Sequence, residues 1–326
     1  MDAVTGRHLY SRAEGERALI ASTTKIMTAL LVCEQCNVLC QMRIPKQAVG
    51  IEGSSMYLKE GEILTLQELL YGLMLSSGND AAVALAIYCG GTVPGFVELM
   101  NDKARLLGLR DTHFANPNGL DHPDHYSSAR DLAVLAAYAM ENPIFAKTVS
   151  TKTVVIGDRY LRNHNKLLWQ VEGAEGVKTG YTRAAGRALV SSASRQDRRI
   201  VAVTLDAPDD WNDHRALLNE SFTRYQVTRV LSQGDKVGSL SVVGGSGQVA
   251  LLAAADFDYA LAPGEQPQVA VGGRSFVYAP VAEGAEAGTG YILLAGKIIG
   301  RVPLVYGSTV EQTKIEKKPF WRRGLL

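Results

Sequence analysis

Residues 26–40 carry a run of apolar side chains, among them Ile26, Met27, Ala29, Leu30, Leu31 and Val32, that leaves almost no polar face. The pattern predicts a helix over 22–40, and a helix apolar all round should be buried on all sides. Lys25 is the only charged residue between Arg17 and Glu34. A chain of 326 residues, 46% hydrophobic and 21% charged, is long enough for about two domains and a substantial core. That composition excludes a disordered chain.

Other helices follow by the same reasoning. Thr65, Leu66, Gln67 and Glu68 read as a capping box opening a helix marked by Leu66, Leu69, Leu70 and Leu73. It should end at Ser76-Ser77-Gly78-Asn79, with Asp80 capping the next helix, which stops at Gly90-Gly91. Residues 95–107 predict another helix. Ser128 and Asp131 form a second capping box for a helix running to Asn142. After residue 150 the period changes: 153–156, 188–192 and 200–205 read as strands, and 214–230 as a last helix capped by Asn212 or Asp213. Residues 1–10 read as a hairpin turning at Thr5-Gly6. The fold class expected is α+β, an antiparallel sheet flanked by a helical block.

From about 232 Gly, Val, Ala and Ser dominate and short apolar runs alternate with glycine turns, which predicts a small all-β domain. The expected division is 1–228, 229–307 and a tail, 308–326. The tail is basic and contains Phe320 and Trp321. It reads either as a solvated end or as the start of a segment lying on a membrane surface.

The net charge of +1 gives no electrostatic case for nucleic acid, and no 18-residue apolar run is present to span a membrane. Cys33, Cys36, Cys40 and Cys89 do not make a disulfide framework, and no second ligand pair follows at zinc spacing. Cys33, Cys36 and Cys40 read as buried thiols in preference to a metal site, and the four leave the redox state open. The stretch 121–125 holds His122 and His125 with Asp121 and Asp124 but is not read as a metal site.

Three short elements carry chemistry. Ser22 and Lys25 stand at i and i+3 and share one helical face. Ser22 sits at a helix start, where free N–H groups favour developing negative charge. A lysine among apolar groups loses preference for its ammonium form, so it can take a proton from a nearby hydroxyl. The bland alternative is a capping serine and a snorkelling lysine. Ser77 and Asn79 occupy a break between two apolar helices, where a hydroxyl and an amide could relay a proton and hold a substrate amide; a plain polar connection is the alternative. Lys178, Thr179 and Gly180 offer a cation, a hydroxyl and room for a ligand backbone on a strand edge, or an ordinary basic turn. S-x-x-K should occur by chance about once in a chain this long, whereas K-T-G should occur in fewer than about one chain in ten.

The combination of S-x-x-K, S-x-N and K-T-G is the signature of penicillin-binding proteins and class A β-lactamases. The segments IASTTKIMTALL, LMLSSGNDAA, HFANPNGLDHPDHYSSARDLA, NHNKLLW and GVKTGYTRAAGRALVSSA resemble serine-type D-alanyl-D-alanine carboxypeptidases, the low-molecular-mass penicillin-binding proteins. The resemblance covers residues 2 to about 225. The Gly/Val-rich part resembles that family's C-terminal β domain, and the tail its membrane-surface helix.

The resemblance implies Ser22 as nucleophile on the penultimate D-alanine carbonyl, Lys25 as general base and Ser77 as proton relay to the departing D-alanine. It implies Asn79 holding the substrate amide, and Lys178 and Thr179, with Thr182, near the terminal carboxylate. Gly180 would let the substrate backbone approach, and the amides of Ser22 and Tyr181 would form the oxyanion hole. No metal or cofactor is called for. The partners implied are a peptidoglycan stem peptide ending in D-Ala-D-Ala and β-lactams. Competing readings are a β-lactamase, disfavoured because no E-x-x-L-N occurs, a D,D-endopeptidase, and a non-catalytic penicillin-binding module. Family members usually carry a fuller first strand after an export signal, whereas no signal-like segment precedes residue 1 here. The expectation is a fragment, or short gene model, of a protein that is extracytoplasmic or secreted.

Overall fold

A computed structural model describes residues 1–314 apart from Asp197 and Arg274. The apolar run forms a buried helix, but a shorter one than predicted. A 3-10 turn, Ala21–Thr24, leads into α1, Lys25–Gln35, in which every residue from Lys25 to Cys33 is buried. The helix stops where Cys36 becomes extended, at φ −120° and ψ 145°. There the Asn37 side chain accepts the Leu39 amide and turns the chain. Residues 41–43 become β1, Gln41–Arg43, paired antiparallel with β2, Ile63–Thr65. Cys36 is joined to Cys89 as a disulfide, while Cys33 is a buried thiol and Cys40 a half-buried one. The reading of Cys36 as a buried thiol is therefore corrected: the fold brings two residues 53 apart in sequence together, a juxtaposition that spacing does not reveal.

α2, Leu66–Leu75, begins at the expected capping box, with Thr65 Oγ1 accepting the Glu68 amide and Glu68 accepting the Thr65 amide. α3, Asn79–Gly90, follows the break. Asp80 is not its cap. Its carboxylate accepts the amides of Met56 and Leu58 and the Ser55 hydroxyl, tying residues 55–58 to the start of α3. α4, Val93–Leu106, precedes α5, Ala129–Ala139. Ser128 caps α5, but Asp131 turns away to accept the Asp111 amide and Thr112 hydroxyl, so only half of the second capping box forms. α5 ends before Asn142, because Asn142 caps the next helix, α6, Pro143–Ser150, with proline in the first turn where its missing N–H costs nothing.

β3, Thr153–Ile156, and β4, Arg159–Arg162, make a hairpin. The short α7, Leu167–Gln170, is followed by β5, Ala174–Thr182, β6, Gly186–Arg195, and β7, Arg198–Thr204. These three form an antiparallel sheet in the order β5-β6-β7. α6 and α7 pack against β5, and α5 and α8, Asp210–Arg224, against β7. α8 begins before Asn212 and Asp213 and ends before 226, because the β-branched run that follows is a strand. One hydrophobic cluster joins α1, α2, α3 and α5 to the sheet through Leu30, Leu69, Leu85, Leu135 and Val190. Residues 1–10 do turn back as expected, with the Asp2 amide donating to the Arg7 carbonyl, but no paired strands form: the Asp2 side chain gathers the amides of Val4 and Thr5 into the turn, and Asp2 bridges to Ile200 on β7.

The chain divides into Met1–Arg224 and a second unit beginning at Tyr225. The division precedes the expected 228/229 boundary because β8, Gln226–Leu231, pairs within the second unit. Beyond it lie β9, Lys236–Val243, β10, Gln248–Ala253, β11, Phe257–Leu261, and β12, Gln268–Val271. β13, Phe276–Tyr278, β14, Glu286–Leu294, and β15, Lys297–Tyr306, complete it. β8 pairs with β11, and the other six form one sheet in the order β12-β14-β15-β10-β9-β13. A bridge from Val281 to Val310 and a bond from the Thr313 amide to Gly244 carry the unit past residue 307. The basic, aromatic part of the tail, 315–326, lies outside the described residues.

Candidate active site

The turn that presents Ser22 is strained and held from behind. Ala21 takes a left-handed φ of 44°, a conformation that L residues with a Cβ adopt rarely. The Thr23 hydroxyl donates to the Ile20 carbonyl at 2.6 Å and the Thr24 hydroxyl to the Ala21 carbonyl at 2.8 Å. His125 supports this turn. Its Nδ1 accepts the Ala115 amide at 3.0 Å, which leaves the proton on Nε2 to reach Thr24 Oγ1 at 2.6 Å. Burial holds this imidazole down to a pKa of about 4, so it is neutral at working pH.

Lys25 is fully buried one turn along from Ser22. Its Nζ lies 2.9 Å from Ser22 Oγ, 2.6 Å from Asn79 Oδ1 and 2.5 Å from the Asn118 carbonyl oxygen. Burial first, and then the charge of Lys178, pushes its pKa well below the usual lysine value; Asp80 opposes them. A neutral amine has two protons and one lone pair. The two carbonyl oxygens can only accept, so they take both protons, and the lone pair is left facing the serine hydroxyl.

Asn79, the first residue of α3, is aimed by its own backbone. Its amide donates to the Ser54 carbonyl at 2.7 Å and its Nδ2 to the Glu52 carbonyl at 2.5 Å, which leaves Oδ1 toward Lys25. Gly53 is needed beside it: φ there is +92°, and a Cβ would stand 2.7 Å from Asn79 Nδ2. Ser77, two residues earlier, is buried and also left-handed at φ 60°. Asn118 belongs to a loop braced by Asn116, whose side chain accepts the Gly119 amide and donates to the Leu120 carbonyl. The Thr28 hydroxyl fastens the same loop to α1 through the Pro117 carbonyl.

β5 is an edge strand, and its Lys178-Thr179-Gly180 segment runs against the Ser22 turn. A methyl group on Gly180 would stand 3.1 Å from both the Ile20 oxygen and the Ser22 nitrogen. Lys178 is buried, and desolvation brings its pKa down to about 7. Its Nζ donates to the Thr179 carbonyl at 2.9 Å. Thr179 is half-buried and Tyr181 exposed. Thr182 is engaged elsewhere: its hydroxyl donates to Asp121 at 2.8 Å and accepts the Ala185 amide. Thus the structure gathers Ser22, Lys25, Asn79 and the backbone at Gly180, with Ser77 next in chain to Gly78 and Asn79. Sequence reasoning missed Asn118 and His125. Among the described residues no group of three or more His, Cys, Asp or Glu is placed to hold a metal ion.

Comparison with known proteins follows the same two units. The family model described as D-alanyl-D-alanine carboxypeptidase matches residues 1–209, and that described as penicillin-binding protein 5, C-terminal domain, matches residues 225–312. The chain is 32% identical to the D-alanyl-D-alanine carboxypeptidase DacF of Bacillus subtilis, over 92% of this chain and 82% of that protein. It is 34% identical to DacD of Salmonella typhimurium, over 94% and 83%. The crystal structure of penicillin-binding protein 5 from Haemophilus influenzae matches with a TM-score of 0.82 at 30% identity, covering 96% of each chain. That of the Streptomyces K15 DD-transpeptidase matches at 0.66 and 35% identity, covering 68% of this chain and 95% of its own.

Proposed function

The chain belongs to the D-alanyl-D-alanine carboxypeptidase family, and from that premise we propose that it removes the terminal D-alanine of peptidoglycan stem peptides through an acyl-enzyme on Ser22. The observation that carries this reading is the placement of Lys25 between two carbonyl acceptors and Ser22 Oγ. In it, the Ser22 hydroxyl gives its proton to neutral Lys25 as Oγ bonds to the carbonyl carbon of the penultimate D-alanine. The amides of Ser22 and Tyr181 receive the charge that develops on the carbonyl oxygen. The proton then passes from Lys25, with Ser77 as relay, to the amine of the leaving D-alanine, and the C–N bond breaks. Asn79 holds the substrate amide. Lys178 and Thr179 hold the terminal carboxylate, and Thr182 joins them by releasing Asp121. Water, deprotonated by the same lysine, hydrolyses the ester and frees the shortened peptide.

A β-lactam carbonyl would acylate Ser22 in the same way and, with its leaving amine still tethered, depart slowly. The substrate lies outside the cytoplasmic membrane, so the reading places the working protein there. One relative is named a DD-transpeptidase, which supports a second outcome for the same ester: transfer to an amine instead of water.

The test is incubation with diacetyl-L-lysyl-D-alanyl-D-alanine and an assay for free D-alanine, run beside a cross-linked muropeptide and with an added amine acceptor. Stoichiometric or greater release from the tripeptide is expected. Stable penicillin labelling without D-alanine release would mark a non-catalytic module instead, and cleavage of the cross-link alone an endopeptidase.

A further inference from the structure

Beside the catalytic residues, an open cleft of about 780 Å³ is lined by Ser76, Tyr160, Arg162, His164, Lys166 and Trp169, among others. It borders the site directly. Ser76 precedes Ser77, and the His164 amide donates to the Leu75 carbonyl at the end of α2. Two features of the cleft serve no step of the reaction above.

The first is aromatic surface left open. Trp169 on α7 is 41% exposed and Tyr160 on β4 is 67% exposed. Along β4 the side chains alternate, so Tyr160 and Arg162 point out while Leu161 is buried. Val155 pairs opposite Tyr160 and is 66% exposed, which extends the apolar face. The second feature is charge of one sign. The Arg162 guanidinium lies 5.0 Å from the Trp169 ring centroid, and the Lys152 ammonium, just outside the lining, 5.9 Å from it. Lys166 also lines the cleft, with its ammonium 5.8 Å from the Trp211 ring centroid. No carboxylate lines the cleft among the described residues. The hairpin's one acid, Asp158, sits in its turn, outside the lining, and the neighbouring Arg159 is already paired with Glu62.

Flat rings with cations over them suit a ligand that offers both apolar C–H faces and carboxylates: the rings stack on a pyranose, and the cations neutralise the acid groups. We propose that this cleft is a subsite for the remainder of the substrate, an anionic peptide still bearing its cell-wall sugar. The proposal rests on the carboxypeptidase reading. It adds that the enzyme distinguishes a sugar-linked stem peptide from a short one by contacts well away from the scissile bond.

Binding and turnover test it separately. A disaccharide pentapeptide is titrated calorimetrically into the Ser22→Ala protein, with and without Trp169→Ala or Arg162→Ala added. Each addition should raise Kd about fivefold, and Trp169→Phe should restore most of it. In the otherwise native enzyme the same two changes should raise KM for the disaccharide pentapeptide by a similar factor. kcat, and both constants for diacetyl-lysyl-D-Ala-D-Ala, should stay within about twofold, and penicillin labelling should confirm that each variant is folded. An unchanged Kd overturns the subsite. So does a loss of equal size for the short peptide with either change, or, with Trp169→Ala, for the same pentapeptide without its sugar. Failure of the native enzyme to release D-alanine from either substrate would instead overturn the carboxypeptidase reading, and the titration would still judge the cleft.

Discussion

Lys25 illustrates how much a single residue's surroundings decide. Placed at the mouth of an apolar helix, it loses water, and two carbonyl oxygens consume the protons of its neutral form. Lys25→Ala should leave the fold intact but slow acylation by a fluorescent penicillin on the order of 10²-fold or more; an unaltered acylation rate would remove Lys25 from the mechanism. Lys178 gives a pH signature. Its pKa is brought down to about 7, so in the free enzyme its positive charge fades as pH rises through that value. KM for a carboxylate-ended peptide should therefore rise above about pH 7, and Lys178→Met should flatten that limb. The Ser22–Lys25 pair was legible because S-x-x-K fixes both on one face, and a lone charge in an apolar run announces burial. Asn118 and His125 were not. They act on Lys25 and Thr24 from 93 and 101 residues away, one through a backbone carbonyl that any residue possesses, the other through a tautomer set by the Ala115 amide.

At the scale of elements, the site depends on how α3 is anchored. Asp80 lies just inside its N-terminus, and its carboxylate accepts the amides of Met56, Leu58 and Ala81 together with the Ser55 hydroxyl. Removing the acceptor would strand buried N–H groups at a cost of roughly 1–3 kcal/mol each. Asp80→Ala should lower the unfolding free energy by about 3 kcal/mol in a denaturant titration; a loss under 1 kcal/mol would show that the loop does not need this clamp. Sequence reasoning assigned Asp80 to capping because it saw an acid at a helix start and could not see the loop folded over it. The same blindness shortened or moved other elements. Asn142 ends one helix by starting another, and the run after Tyr225 carries the β-branched Val227, Thr228 and Val230 and extends as a strand. The Thr65 capping box, by contrast, closes on itself within four residues and was fully visible.

For the whole molecule, the two units differ in kind: helices around a three-stranded sheet up to Arg224, and, among the described residues, strands without helices from Tyr225. The shift in composition near 232 announced this, though the boundary needed the strand pairing of β8. The Streptomyces K15 structure covers 68% of this chain with 95% of its own, about the share of the chain that Met1–Arg224 makes up. Residues 1–224 expressed alone should therefore still be labelled by penicillin, and unlabelled, folded protein would contradict that independence. Buried Lys25 and Lys178 also leave a mark on global stability. Both have folded pKa values below the ordinary 10.5, so the unfolded chain binds more protons between about pH 7 and 10.5 and the unfolding free energy should rise with pH across that window. Lys178→Met should reduce the slope.

The most direct test of the account is mass spectrometry of the whole protein after exposure to penicillin, followed by peptide mapping. One adduct per chain, located on Ser22 and absent from the Ser22→Ala protein, is the predicted result. An adduct on any other residue, or none on a folded protein, would contradict it.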